Sequence, residues 1–141
     1  NFFDLAGRLT LADLPGYGYA KASKGQIANW TALIEHYLKA RVPLRRVVLL
    51  IDARHGLKDS DRKVMALLDT AAVSYQVVLT KADKLEPAAL QAVTAAIAAD
   101  LASHAAAHPR VLATSARSAL GIPELRAELA SLIDWSAEPS G

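Results

Sequence analysis

Two apolar runs constrain what this chain can fold into. Arg45–Asp52, RRVVLLID, and Tyr75–Asp83, YQVVLTKAD, are nearly continuous in β-branched residues and leucine. A strand that alternates apolar and polar residues buries one face. A continuous run marks a strand covered on both faces, as in a parallel sheet with helices above and below. Parallel strands need a long crossover connection, usually a right-handed helical one. A helix is predicted where that crossover must run, from about Ser60 to Asp69.

The alternation continues on either side. Arg8–Asp13, RLTLAD, reads as a strand, and a helix is expected from about Lys24 to Arg41. Its Ile27, Trp30, Ile34, Tyr37 and Leu38 recur at helical spacing, and Pro43 punctuates. The alanine-rich stretch from Pro87 to His104 reads as a helix with proline in its first turn. Leu90, Val93, Ile97 and Leu101 form its core-facing stripe. RVLATSA, Arg110–Ala116, reads as a last short strand, and Gly121-Ile122-Pro123 leads into a helix through Ile133. The expected fold is α/β, a doubly wound, mostly parallel sheet with flanking helices. It forms one domain over residues 1–134, with a frayed tail at 135–141.

Composition narrows the function classes. A chain of 141 residues can bury one sizeable core, and the absence of cysteine excludes disulfides, CxxC redox chemistry and thiolate metal sites. A net charge of +2 permits an RNA or other acidic partner without requiring one. The apolar runs are too short to span a bilayer, and NFFDLAG has no basic, signal-like region, so a cytoplasmic protein without membrane contact is expected. The chain begins without Met and inside what reads as a strand, the pattern of a shortened sequence.

In open parallel sheets, ligands bind beyond the carboxyl ends of the strands. Three strands here are expected to end in polar motifs at that rim: Asp13-Leu14-Pro15-Gly16, Thr80-Lys81-Ala82-Asp83 and Thr114-Ser115-Ala116. DxxG and TSA are common singly, and TKxD is more telling because it follows a buried strand directly. Their shared position, each at a strand end and in this order, carries the argument.

The order DxxG, TKxD, SA resembles the later motifs of the small GTP-binding proteins. It is most similar to the EngB family of bacterial GTPases of ribosome assembly. The likeness rests on DLPGYGYAK at Asp13–Lys21, DARHGLKDSD at Asp52–Asp61, VVLTKADKL at Val77–Leu85 and TSA at Thr114–Ala116, with Thr80 where most GTPases have Asn. The resemblance implies an incomplete P-loop GTPase domain that binds GTP or GDP with Mg²⁺. It implies a GTP hydrolase when complete, with a role in large ribosomal subunit assembly and hence in normal cell division and septation.

On that resemblance, Asp83 accepts hydrogen bonds from the guanine N1–H and amine, and Lys81 lays its stem along the base and sugar. Ser115 and Ala116 present backbone amides to the guanine O6. Asp13 holds Mg²⁺ through a water, and the Gly16 amide senses the γ-phosphate and releases the following loop on hydrolysis. Tyr17 stands where some GTPases place a water-orienting glutamine, which implies slow intrinsic hydrolysis. The phosphate-cradling GxxxxGK[ST] motif and the Mg²⁺-ligating threonine of the first switch are not in this sequence. NFFDLAG resembles the family's second strand, so the chain reads as most of a GTPase without its phosphate-binding third. The family's first strand would lie between Leu9–Asp13 and Val47–Asp52. Alone, the chain is expected to bind nucleotide weakly and to be a monomer.

Weaker signals have plainer readings beside them. Asp100, His104 and His108 recur at i, i+4 and would share a helix face able to bind a transition metal, but their alanine neighbours offer no supporting partners. His55 reads as loop-stabilising rather than catalytic, and Trp30 as core. Lys21, Lys24, Lys39, Arg41, Arg45 and Arg46 form either a solvated face or a contact to ribosomal RNA. Two other function classes remain open. One is a nucleotide-independent adaptor that docks on RNA or protein through the basic helix. The other is a flavodoxin-like or response-regulator protein, whose acid-rich phosphoacceptor pocket is not evident.

Overall fold

The structure, a computed structural model, describes residues 2–14, 24–40 and 44–136. The sequence readings at Pro15, Gly16, Tyr17, Lys21, Arg41 and Pro43, and at 137–141, lie outside the described residues. In chain order come β1 (Phe2–Leu5), β2 (Leu9–Ala12), α1 (Lys24–Lys39), β3 (Val47–Asp52), α2 (Asp59–Thr70) and β4 (Tyr75–Thr80). A 3₁₀ turn (Ala82–Lys84), α3 (Pro87–Leu101), β5 (Leu112–Ala113) and α4 (Ile122–Ala130) follow.

The two apolar runs pair as expected. β3 and β4 are parallel from Val47↔Tyr75 to Asp52↔Thr80, and β5 joins β4 in parallel at Val78↔Leu112 and Leu79↔Ala113. All of β4 except Thr80 is buried, as befits the central strand of the order β3-β4-β5. β3 departs from the expected burial on both faces, because its Leu50 is 63% exposed. The strand lies at an edge of the described sheet, and Leu50 is on a part that no described helix covers.

β1 and β2 form a separate antiparallel hairpin, from Phe2↔Ala12 to Leu5↔Leu9. Ala6 and Gly7 both have positive φ (55° and 67°), and the Arg8 amide donates to the Leu5 carbonyl at 3.0 Å. That geometry is the primed turn whose twist matches a tight hairpin. Among the described residues this hairpin shares no ladder with the parallel sheet.

The helices cover the parallel sheet, α1 and α3 with residues that periodicity singled out. Trp30 and Ile34 of α1, Val64, Met65 and Leu68 of α2, and Ile97 and Leu101 of α3 join Val47, Leu49, Ile51, Val77 and Leu79 in one core. Leu90 and Val93 pack at its margin. Leu38 is instead half exposed, at the last turn of α1.

α3 stops at Leu101, short of the expected His104. The Ser103 hydroxyl donates back to the Asp100 carbonyl at 3.1 Å, the kind of local bond that competes with helix continuation. Asp69 at the end of α2 then takes up the chain, meeting His104 Nδ1 at 2.6 Å and accepting from the Ala106 amide at 2.9 Å. No described helix is long and apolar enough to cross a membrane.

Candidate functional site

The parallel register sets the site. It brings Asp52 level with Thr80, and continued by one residue beyond Ala113 it brings Thr114 level with Thr80. Backbone bonds carry this lacing past the strand ends. The Ala53 amide donates to the Thr80 carbonyl at 2.9 Å, and the Ala82 amide to the Thr114 carbonyl at 3.0 Å.

Lys81 makes the bend between them. Its φ of 57° is left-handed, a conformation that costs a non-glycine residue energy and that surrounding structure must compensate. The bend turns Lys81 outward and starts the 3₁₀ turn, closed by Lys84 N–H to the Lys81 carbonyl at 3.0 Å. Asp83 is thereby presented at the rim.

There it meets Ser115. The buried Ser115 hydroxyl donates to Asp83 Oδ1 at 2.7 Å and accepts from the Ser118 amide at 3.1 Å. This donation, with Lys84 and Arg117 nearby, holds the Asp83 carboxyl below its usual range. A carboxylate oxygen has two lone-pair sites, so Oδ1 retains acceptor capacity beside its Ser115 bond. Sequence reasoning gave Ser115 only a backbone role, and its hydroxyl as the holder of Asp83 is added by the structure.

The loop carrying Ser115 is closed by its own backbone and by a glycine. The Ser115 amide donates to the Leu120 carbonyl at 2.9 Å. Gly121 has φ of 70°, and a Cβ there would fall 1.9 Å from the Ala113 carbonyl oxygen. Thr114 is buried, its hydroxyl donating to the Leu79 carbonyl at 2.7 Å, while Ala116 faces solvent.

A second carboxylate, which the sequence reading left without a role, stands beside this pair. Asp52 Oδ1 accepts from the Arg54 amide at 2.9 Å and from Arg54 Nε at 3.0 Å, and Oδ2 from Arg54 Nη2 at 2.7 Å. Lys81 Nζ lies 3.7 Å from the same Oδ2. The Arg54 guanidinium, which donates on both sides, holds the Asp52 carboxyl far below the carboxylate range. The available signal was a strand ending in Asp with Arg two residues on, the spacing of a tight turn. His55 contributes its backbone amide to that turn, to the Asp52 carbonyl at 3.0 Å.

The structure thus gathers Thr80, Lys81, Ala82 and Asp83 with Thr114, Ser115 and Ala116 on one rim. Asp13 is exposed just past β2, on the separate hairpin, and Leu14 packs against the core. Magnesium usually keeps several waters and takes one or two protein carboxylates besides phosphate oxygens. The exposed carboxylate of Asp13 fits that modest demand.

Two sequence readings are corrected. Asp100, His104 and His108 do not share a helix face: Asp100 pairs with Arg62 at 2.9 Å, His104 with Asp69, and His108 Nδ1 accepts from the Arg110 amide at 3.1 Å. No group of three or more metal-binding side chains occurs among the described residues. Arg46 is no free surface cation, since its Nη1 donates to Gln76 Oε1 at 2.9 Å and to Glu128 Oε2 at 3.3 Å. Glu128 also pairs with Arg110, at 3.1 Å, so the group ties β4 and α4 together. Lys39 and Arg45 remain exposed.

The family model of the elongation factor Tu GTP binding domain matches residues 39–134. A probable GTP-binding protein EngB from Bradyrhizobium diazoefficiens is 56% identical over 135 residues, covering 94% of this chain and 62% of that protein. One of the same name from Rhodospirillum rubrum is 57% identical over 124 residues, covering 88% of this chain and 54% of that protein. The chain therefore spans little more than half the length of these relatives. Translation elongation factor SelB from Methanococcus maripaludis, in its apo form, superposes with a TM-score of 0.70 at 23% identity over 98% of this chain and 28% of its own. Its complex with the GTP analogue GPPNHP gives 0.67 at 23% identity over 93% of this chain and 26% of its own. The likeness to SelB establishes the α/β fold with a parallel sheet. Together with the family match and the identity to curated relatives, it leads to one assignment: the chain belongs to the EngB family, on the fold of the elongation factor Tu GTP binding domain.

Proposed function

We propose that the rim built by Thr80–Asp83 and Thr114–Ala116 binds the guanine base of GTP or GDP. The observation that carries this reading is the Ser115–Asp83 pair, an ionised carboxylate held at 2.7 Å by a buried hydroxyl at the carboxyl ends of parallel strands. Such a carboxylate accepts from the N1–H and amine of guanine, a donor pair that adenine lacks. A site that hydrogen-bonds a donor on its ligand rejects the analogue without it by orders of magnitude. Lys81 lays its stem along the base and sugar, and the backbone amides of Ser115 and Ala116 face the guanine O6.

The rest of the reading follows the family. Asp13 would hold a Mg²⁺ ion, which would screen phosphate charge, and Gly16 would sense the terminal phosphate. The complete protein hydrolyses GTP as a cytoplasmic, monomeric switch that assists assembly of the large ribosomal subunit, and so supports division and septation. Lys39 and Arg45 are the described cations of the sequence-predicted basic set left exposed to meet ribosomal RNA.

The test is Asp83→Asn in the complete gene product, with GDP and XDP in competition. The amide turns one acceptor into a donor that opposes guanine and matches the extra carbonyl of xanthine. GDP affinity should fall about a hundredfold while XDP affinity rises, an exchange of preference rather than a loss. A variant that keeps its guanine preference would refute base recognition by Asp83.

A further inference from the structure

Asp52 ends β3 level with Thr80, and its carboxylate is where two rim cations converge. Arg54 occupies both oxygens through its own turn, and Lys81 Nζ stands 3.7 Å from Oδ2. The two strand ends are also fastened by the Ala53 amide on the Thr80 carbonyl. Lys81 itself sits in a left-handed bend, so its stem leaves the backbone in a direction set by that strained residue. The Lys81 side chain is 59% exposed and that of Asp52 21%, so an exposed cation pairs with a largely covered anion.

We propose that Asp52 is a positioning residue for nucleotide binding, anchoring the Lys81 ammonium, with Arg54 beside it, at the edge of the base site. The proposal rests on the reading of Lys81 and Asp83 as base contacts. A lysine stem laid against a ligand loses rotamer freedom, and an ion pair that already restricts it removes part of that cost. Asp52 touches no ligand in this scheme, since its oxygens are occupied by Arg54 and Lys81. It acts only through Lys81.

A double-mutant cycle in the complete gene product tests this, with a fluorescent GDP analogue as the probe. Because Lys81 is largely exposed, the effect is modest: Asp52→Asn should weaken binding about three- to fivefold in the wild-type background. In the Lys81→Ala background the same change should cost less than about 1.5-fold, because the partner through which it acts is gone. A purely structural role would give the same loss in both backgrounds. Equal losses, or no loss in the wild type, would overturn the proposal. Should Asp52→Asn fail to fold, Asp52→Ser in the same cycle carries the test. The Asp83→Asn competition run beside it separates the two ideas. A switch to XDP with an additive cycle refutes only the role of Asp52, whereas no switch refutes the base site and this proposal with it.

Discussion

Replacing Gly121 by alanine should destabilise the protein about twice as much as the same change at Gly56. Both glycines have left-handed backbones, with φ of 70° and 66°. An L-residue there costs about 1–2 kcal/mol. The surroundings then divide them. At Gly56 the new methyl would meet only Val93 Cγ2 at 3.5 Å, an ordinary contact. At Gly121 it would fall 1.9 Å from the Ala113 carbonyl oxygen, 3.0 Å from its carbon and 3.3 Å from Thr114 Cα, all backbone that cannot swing aside.

Relieving such a clash adds about 1–3 kcal/mol, the scale of overpacking. The totals are about 1–2 kcal/mol for Gly56→Ala and about 2–5 kcal/mol for Gly121→Ala. For a domain of this size, these correspond to Tm losses of roughly 4–8 °C and 8–20 °C. Thermal unfolding followed by circular dichroism measures both. Asparagine, which tolerates positive φ, should restore much of the loss at Gly56 and little at Gly121. Equal losses at the two positions, or rescue by asparagine at Gly121, would show that close backbone approach is not what demands glycine there.

Ser115→Ala removes the hydroxyl that Asp83 accepts from and should weaken GDP binding about tenfold in a titration of the complete protein. With the donor gone, the Asp83 carboxyl rises toward its ordinary range, so the acid limb of the binding profile should move to higher pH. Arg46→Ala should cost about 1.5–3 kcal/mol in chemical denaturation, through lost bonds to Gln76 and Glu128. The exposed Arg45→Ala should change stability by less than about 0.5 kcal/mol yet reduce salt-dependent co-sedimentation with large ribosomal subunits. Asp52 has a depressed carboxyl, so its stabilisation is full above the ordinary Asp range near pH 3.9 and is lost as pH falls below it. Urea unfolding between pH 5 and pH 3 should therefore show a steeper loss for wild type than for Asp52→Asn.

The sheet was legible because β-branched runs are a local signal: RRVVLLID and YQVVLTKAD announce strands whatever surrounds them. Two of the three expected rim loops, after Thr80 and at Thr114, were legible because parallel strands bring their carboxyl ends to a common edge. Asp13 instead lies just past β2, on a hairpin that shares no ladder with that sheet among the described residues. Tertiary choices were not legible. The path after α3 ends at Leu101 is set by Asp69, more than thirty residues earlier, which meets His104 and the Ala106 amide. Arg46 sits beside Arg45 in a basic run, yet only Arg46 reaches Gln76 and Glu128. The exposure of Leu50 depends on what flanks β3, which no window around Leu50 reports. The Ser115 hydroxyl on Asp83 joins residues 32 apart, a pairing visible only once β4 and β5 lie side by side.

The backbone bonds from Ala53 to Thr80 and from Ala82 to Thr114 make the rim loops extensions of the sheet rather than connections draped over it. The consequence is one of timing. A receptor edge already in shape need not wait for a loop to rearrange, so capture there is governed by diffusion and orientation, which vary little among similar ligands. On the proposed reading, such an edge meets GDP, XDP and their competitors at similar frequency. It sorts them by how long each one stays.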